Sequence, residues 1–323
     1  MIPVLEAVPN ISEGRDPAKL RRLVDLVEAV GVDVLDASSD PDHHRSVLTF
    51  IGDPPAVEEA AFTVARFALE HIDLREHRGI HPRVGALDVL PFVPLHDMGM
   101  DAAVASARRV GGRITLELGI PVYFYGHASS PPGRRLAELR RGGVEALWDG
   151  FPADRLPDLP DAALLADAED IRLRPHPTAG VTCVGARPVL LAWNAFVRGV
   201  TLDDARAVAA EIRERGGLFP GLRALGLHLP GSDRLQVSMN LEDVVRTSPL
   251  DVLTAIRDRI EARGGAIEEI EIIGMMPDTL VLPPPEDRLH LPDLGPARVL
   301  SSRVTEHVER RARGSTDTSD GIE

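Results

Sequence analysis

Arg75, His77, Arg78, His81 and Arg83 are crowded into one stretch, with Gly79 and Gly85 interleaved as Gly79-Ile-His-Pro-Arg-Val-Gly85. Imidazole, with an ordinary pKa of about 6.5, gives and takes protons near neutral pH, so this cluster could do acid–base chemistry. Pro82 pushes His81 out of the helical region, and Gly79 permits a tight backbone path. The His81 ring is therefore held in one direction. A plainer reading, in which His81 only caps backbone groups of its loop, fits the same spacing, and both stay open at this point.

A second polar turn, Asp40-Pro-Asp-His-His-Arg-Ser46, can lie beside that loop. Imidazole and carboxylate from Asp42, His43, His44, His77 and His81 would suit zinc, iron or manganese, but their spacing matches no metal signature such as His-Glu-x-x-His. No metal is expected. Arg45, Arg78, Arg83 and Arg187 could each fork onto a carboxylate, or simply pair with surface acids. Cys183, between Thr182 and Val184, reads as a small packed hydrophobe with no candidate base beside it in sequence. Phosphate-binding glycine motifs and a Gly-x-Ser-x-Gly elbow are missing, so nucleotide binding and serine hydrolysis lack support.

Composition narrows the partners. A formal net charge of −14 argues against nucleic acid or an anionic membrane, so an anionic ligand would need arginines gathered locally. The single cysteine rules out an internal disulfide and fits a reducing compartment. No signal peptide is read near Met1, and no window approaches about 18 continuous apolar residues. A cytoplasmic protein is expected.

The elements that must position these residues follow from periodicity. A strand from Ile2 to Val8 leads through Pro9-Asn-Ile-Ser-Glu-Gly14 to Asp16-Pro17, an N-cap with proline at the first helical position. That helix runs to about Val30. Strands at 32–35 and 47–51 are joined by the polar turn 36–45, and a helix from about Pro55 to Ile72 precedes the His81 loop and a strand at 84–93. The order is strand, helix, strand, strand, helix, strand, the split βαβ or ferredoxin-like pattern. A helix near 101–118, a strand at 122–125, a helix near 134–140 and a Pro- and Asp-rich connector from about Trp148 to Pro177 follow. The second half repeats the order with strands 188–195, 222–229, 235–241 and 267–273 and helices 202–215 and 249–262. The predicted fold is α+β, two tandem ferredoxin-like (βαββαβ) subdomains over residues 1–178 and 179–300, then a polar, disordered tail over 301–323.

The segments Val8-Pro-Asn-Ile-Ser-Glu-Gly14, Asp40 to Ser46, Gly79 to Val89, Pro121 to Gly126, Gly180 to Arg187, Asn194 and Gln236-Val-Ser-Met-Asn240 together resemble the formiminotransferase family, over roughly residues 4 to 282. The resemblance implies a ligand groove between the two subdomains and a homodimer. It implies transfer of the formimino group of N-formimino-L-glutamate to N5 of tetrahydrofolate as co-substrate, with His81 as the catalytic histidine. Asp40, His44, Arg45, Arg83 and Asn194 would meet the formimino donor. Asp158, Thr178, Gly180, Thr182 and Arg187 would meet the folate. No counterpart of the family's cyclodeaminase part is expected. The chain departs from the family pattern at His44, where Asn is more usual, at His127, where Glu is, and in the connector. Those departures leave room for a non-catalytic folate-binding paralogue, or for a transferase or metal-dependent hydrolase acting on another donor.

Overall fold

Side-chain alternation builds the first of two units. The computed structural model describes residues 2–158, 174–278 and 296–317, and the chain divides into Met1–Pro188 with Glu306–Glu323, and Val189–Thr305. In the first unit, β1 (Leu5–Ala7) and β2 (Asn10–Ile11) lie in line, broken at Pro9, which cannot donate to a ladder. Pro9 O still accepts from the Leu48 amide at 3.0 Å. Both short strands pair antiparallel with β4 (Arg45–Gly52) on one side and β5 (Leu87–Pro94) on the other. β3 (Asp33–Asp40) flanks β4, while β7 (Thr182–Ala186) and β6 (Val122–Gly126) continue the sheet beyond β5 in parallel.

Leu5, Ala7, Ile11, Leu48, Phe50, Leu90, Phe92 and Val184 point to one face of this sheet and pack with helices α1 (Pro17–Glu28), α2 (Pro54–His71) and α3 (Met100–Leu118). Asp16 caps α1 as expected, accepting from the Ala18 and Lys19 amides. Strand alternation sends Glu6, Asn10, Arg45, Val89, Tyr123, Tyr125 and Cys183 to the other face. There Val89, the two tyrosines and Cys183 form a smaller apolar cluster with Leu139, the last residue of the short helix α4 (Leu136–Leu139).

The second unit follows its predicted order: β8 (Leu191–Arg198), α5 (Leu202–Ile212), β9 (Leu222–Leu229), β10 (Arg234–Leu241), α6 (Pro249–Glu261) and β11 (Ala266–Ile273). Its antiparallel sheet runs β11-β8-β10-β9. Thr201 and Asp204 close a capping box on α5, and Ser248 caps α6 ahead of Pro249.

Three expectations need correction. The turn expected over 36–45 is only Pro41 to His44, because β3 continues to Asp40 as a half-exposed edge that tolerates polar residues. The boundary falls after Pro188 instead of at 178, since β7 joins the first sheet between β5 and β6. The tail, expected to be disordered over 301–323, instead contributes helix α7 (Leu300–Asp317). From Glu306 onward it belongs to the first unit, where His307 and Arg310 both bind Asp33 and Arg311 binds Asp53 at 2.8 Å. The middle of the expected connector, 159–173, and the end of the tail, 318–323, lie outside the described residues.

Candidate active site

The His81 loop is pressed against the turn between β3 and β4. Asp40 Oδ1 accepts from the Asp42 and His43 amides at 2.8 Å each, folding the turn, and His44 takes a left-handed φ of 50°. The Ile80 amide donates to Asp42 O at 3.2 Å. A Cβ on Gly79 would lie 2.3 Å from His43 O, so only glycine allows this approach. The His81 and His43 rings consequently sit 5.7 Å apart.

Around His81 the sheet supplies an ionic floor. Asp88, fully buried, accepts from Arg45 Nη1 and from Arg140 Nη2 at 2.7 Å each, and from the Val84 amide at 2.8 Å. Arg45 turns its remaining donors, Nε and Nη2, to Asn10 Oδ1 at 3.1 and 2.8 Å. Asp88 faces Arg45 because the β2–β5 pairing slips between Asn10↔Val89 and Ile11↔Leu87, leaving Asp88 as the extra residue of a bulge. Burial raises the Asp88 carboxyl, but Arg140 and Arg45 outweigh it and bring it down to about 2.

His81 is half-buried, and its Nδ1 lies 2.8 Å from Pro82 O. A carbonyl only accepts, so Nδ1 carries the proton and Nε2 keeps a lone pair. Burial, then the charges of Arg45 and Arg140, push its pKa well below the ordinary value against the pull of Asp88. At neutral pH the imidazole is a neutral base.

A second polar group lies across the loop. His44 stacks on His77, ring centroids 4.2 Å apart, and its Nε2 is 3.3 Å from Glu13. His77 Nε2 meets His44 O at 2.8 Å, and burial lowers His77 to about 4. Burial raises Glu13, yet hydrogen bonds from Lys19 and from the Arg15 and Asp16 amides prevail and hold it at about 2. Glu13, His44, His77 and Thr178 help line a cavity of about 420 Å³ whose walls do not include His81.

Other expected residues are placed as follows. Arg83 donates to Glu145 at 2.8 Å, with its Nε buried and unpartnered among the described residues. Gly180, at φ 68°, lets the chain pass Val84 O, which a Cβ would meet at 2.2 Å. Thr182 is buried on β7 with its hydroxyl unpartnered among the described residues. Arg187 follows β7 and donates to Pro188 O at 2.9 Å. Asp158 accepts from the Phe124 amide at 2.7 Å and pairs with Arg134. Asn194 stands in the second unit, donating to Glu271 at 2.8 Å. The reading from sequence passed over Asn10, Glu13 and Arg140, and gave Asp88 no role. An acid inside an otherwise apolar strand was the available signal for Asp88; Arg140, just after α4 in a stretch rich in arginine, offered none. Among the described residues, no group of three or more His, Cys, Asp or Glu could hold a metal ion, and no helix is long and apolar enough to cross a membrane.

Fold and site together define a mixed α/β protein with a half-buried, neutral histidine over a buried arginine–carboxylate cluster. Models of the formiminotransferase domain match twice, the N-terminal subdomain over residues 4–187 and the following domain over 192–286. A glutamate formimidoyltransferase of Streptococcus pyogenes is 36% identical over 91% of this chain and 95% of its own length. Another, of Thermoplasma acidophilum, is 34% identical over 86% of this chain and 90% of its own. The formimidoyltransferase-cyclodeaminase of Rattus norvegicus is 33% identical, with 51% of its length covered. The chain belongs to the formiminotransferase family.

Proposed function

We propose that this protein is a transferase that moves the formimino group of N-formimino-L-glutamate to N5 of tetrahydrofolate, releasing glutamate. The neutral His81, with Nδ1 on Pro82 O and a lone pair on Nε2, carries this reading. N5 attacks the formimino carbon, and His81 Nε2 takes the proton that N5 loses. The same proton then goes to the glutamate nitrogen as its bond to that carbon breaks. One imidazole serves as base and then acid, typically worth about 10²- to 10⁴-fold in rate. Aligning the two substrates adds to this. Each unit is read as ferredoxin-like, from its strand, helix, strand, strand, helix, strand order. Thr178, Gly180, Thr182, Asp158 and Arg187 are assigned to folate, and Asp40, His44 and Arg83 to the donor.

The test is turnover with tetrahydrofolate and formiminoglutamate, in wild type and in His81→Asn. A fall of about a hundredfold or more in a variant that melts like wild type supports the assignment. Absence of turnover in wild type defeats it.

A further inference from the structure

Arg45 and Arg140 share a single carboxylate, Asp88. Two guanidiniums and one carboxylate leave a net charge of +1, largely out of water, since the Arg45 and Arg140 side chains are only 10% and 14% exposed. Buried charges without a partner are costly, so a site built this way favours an anion. The two arginines differ in what they have left. Arg45 has all three of its nitrogens bonded, to Asp88 and to Asn10. Arg140 uses only Nη2, on Asp88, and its buried Nε has no partner among the described residues. Nearby Arg83 is already paired with Glu145. The segment after Arg140 is tied to the His81 loop, because the Val144 amide donates to Arg83 O at 2.9 Å.

We propose that Arg140, held by Asp88 and backed by the charge of Arg45, binds a carboxylate of an acidic amino-acid derivative beside His81. Arg45, the arginine expected to do this, is instead the internal support. The proposal deepens the transferase reading and rests on it for the glutamyl donor, while the carboxylate site itself can be tested without turnover. Asp88 fixes the Arg140 guanidinium before the ligand arrives, which lowers the ordering cost of binding.

Glutarate and its uncharged diamide are the probes, scored by heat stabilisation of wild type, Arg140→Gln and Arg140→Lys. Wild type should be stabilised by glutarate and not by the diamide. Arg140→Gln should bind glutarate about 10- to 100-fold more weakly, the size expected for losing a charge-assisted hydrogen bond. Arg140→Lys, which keeps the charge but not the fork, should fall between them. In the transfer assay, Arg140→Gln should raise KM for the acidic donor far more than it lowers kcat, leaving KM for tetrahydrofolate unchanged. A purely structural role would instead lower the melting temperature and move both KM values together. If Arg140→Gln does not fold, the lysine variant decides, and glutarate binding equal to wild type overturns the site. The same holds if wild type ignores glutarate. Arg140-dependent glutarate binding with no formimino transfer would leave the site standing and remove the transferase reading.

Discussion

The two units share an order of elements but differ in what they place on the sheet face turned away from their helices. In the first unit that face carries Glu6, Asn10 and Arg45, with Asp88 turned onto it by the bulge. In the second, alternation puts Asn194, Phe196, Gln236 and Ser238 there, with Trp193, Val237 and Met239 on the core side. Buried ions cost several kcal/mol apiece unless they are paired, whereas a hydrogen-bonded amide costs little. The ion pair on the second unit's face, Arg234–Glu269 beside Phe196, stays open to water, so this order of elements does not require buried ions. We therefore read the ionic face of the first unit as the place of the proposed chemistry.

Breaking that contrast should be most visible at Asp88. Asp88→Ala leaves two guanidiniums facing each other and the Val84 amide without its acceptor, and should cost about 3–5 kcal/mol, read by denaturant unfolding. Gly79→Ala should come next, at about 1–3 kcal/mol, because its Cβ collides with the His43 carbonyl and lifts the His81 loop from the turn. Activity should fall more steeply than stability, which parallel melts and assays would register.

Acid and base should sharpen the comparison with opposite signs within the first unit. His77 has a folded pKa of about 4 against 6.5, so the unfolded chain binds its proton first. Stability is then lost as pH falls from 6.5 towards 4, on the order of 1–3 kcal/mol, and His77→Gln should flatten that slope in melts across pH. Glu6 is raised by burial, against Arg187, from 4.5 to about 7. Its contribution is lost as pH rises from 4.5 through 7, so Glu6→Gln should melt higher than wild type at pH 8 and lose that advantage at pH 5. The smallest effect belongs to the second unit: Asn194→Ala, removing one bond to half-exposed Glu271, should cost about 0.5–1.5 kcal/mol.

Whatever depends on neighbours in sequence could be read from the sequence. Asp16-Pro17 and Ser248-Pro249 start helices because a cap oxygen and a pre-set φ act over three or four residues. The His81 loop was placed between α2 and β5 by two apolar periodicities, and proline fixed its backbone. Its meeting with the Asp40–His44 turn was also foreseeable, from strand order. Sheet membership of β7, the helix over Leu300–Asp317, and the partners of Arg45 were not. Asp88 and Arg140 are separated by 52 residues, and no local rule links them. What brings them together is a one-residue slip between β2 and β5. Only the folded sheet decides such a register, because it depends on how all the strands pack at once, and a shift of one residue exchanges the faces.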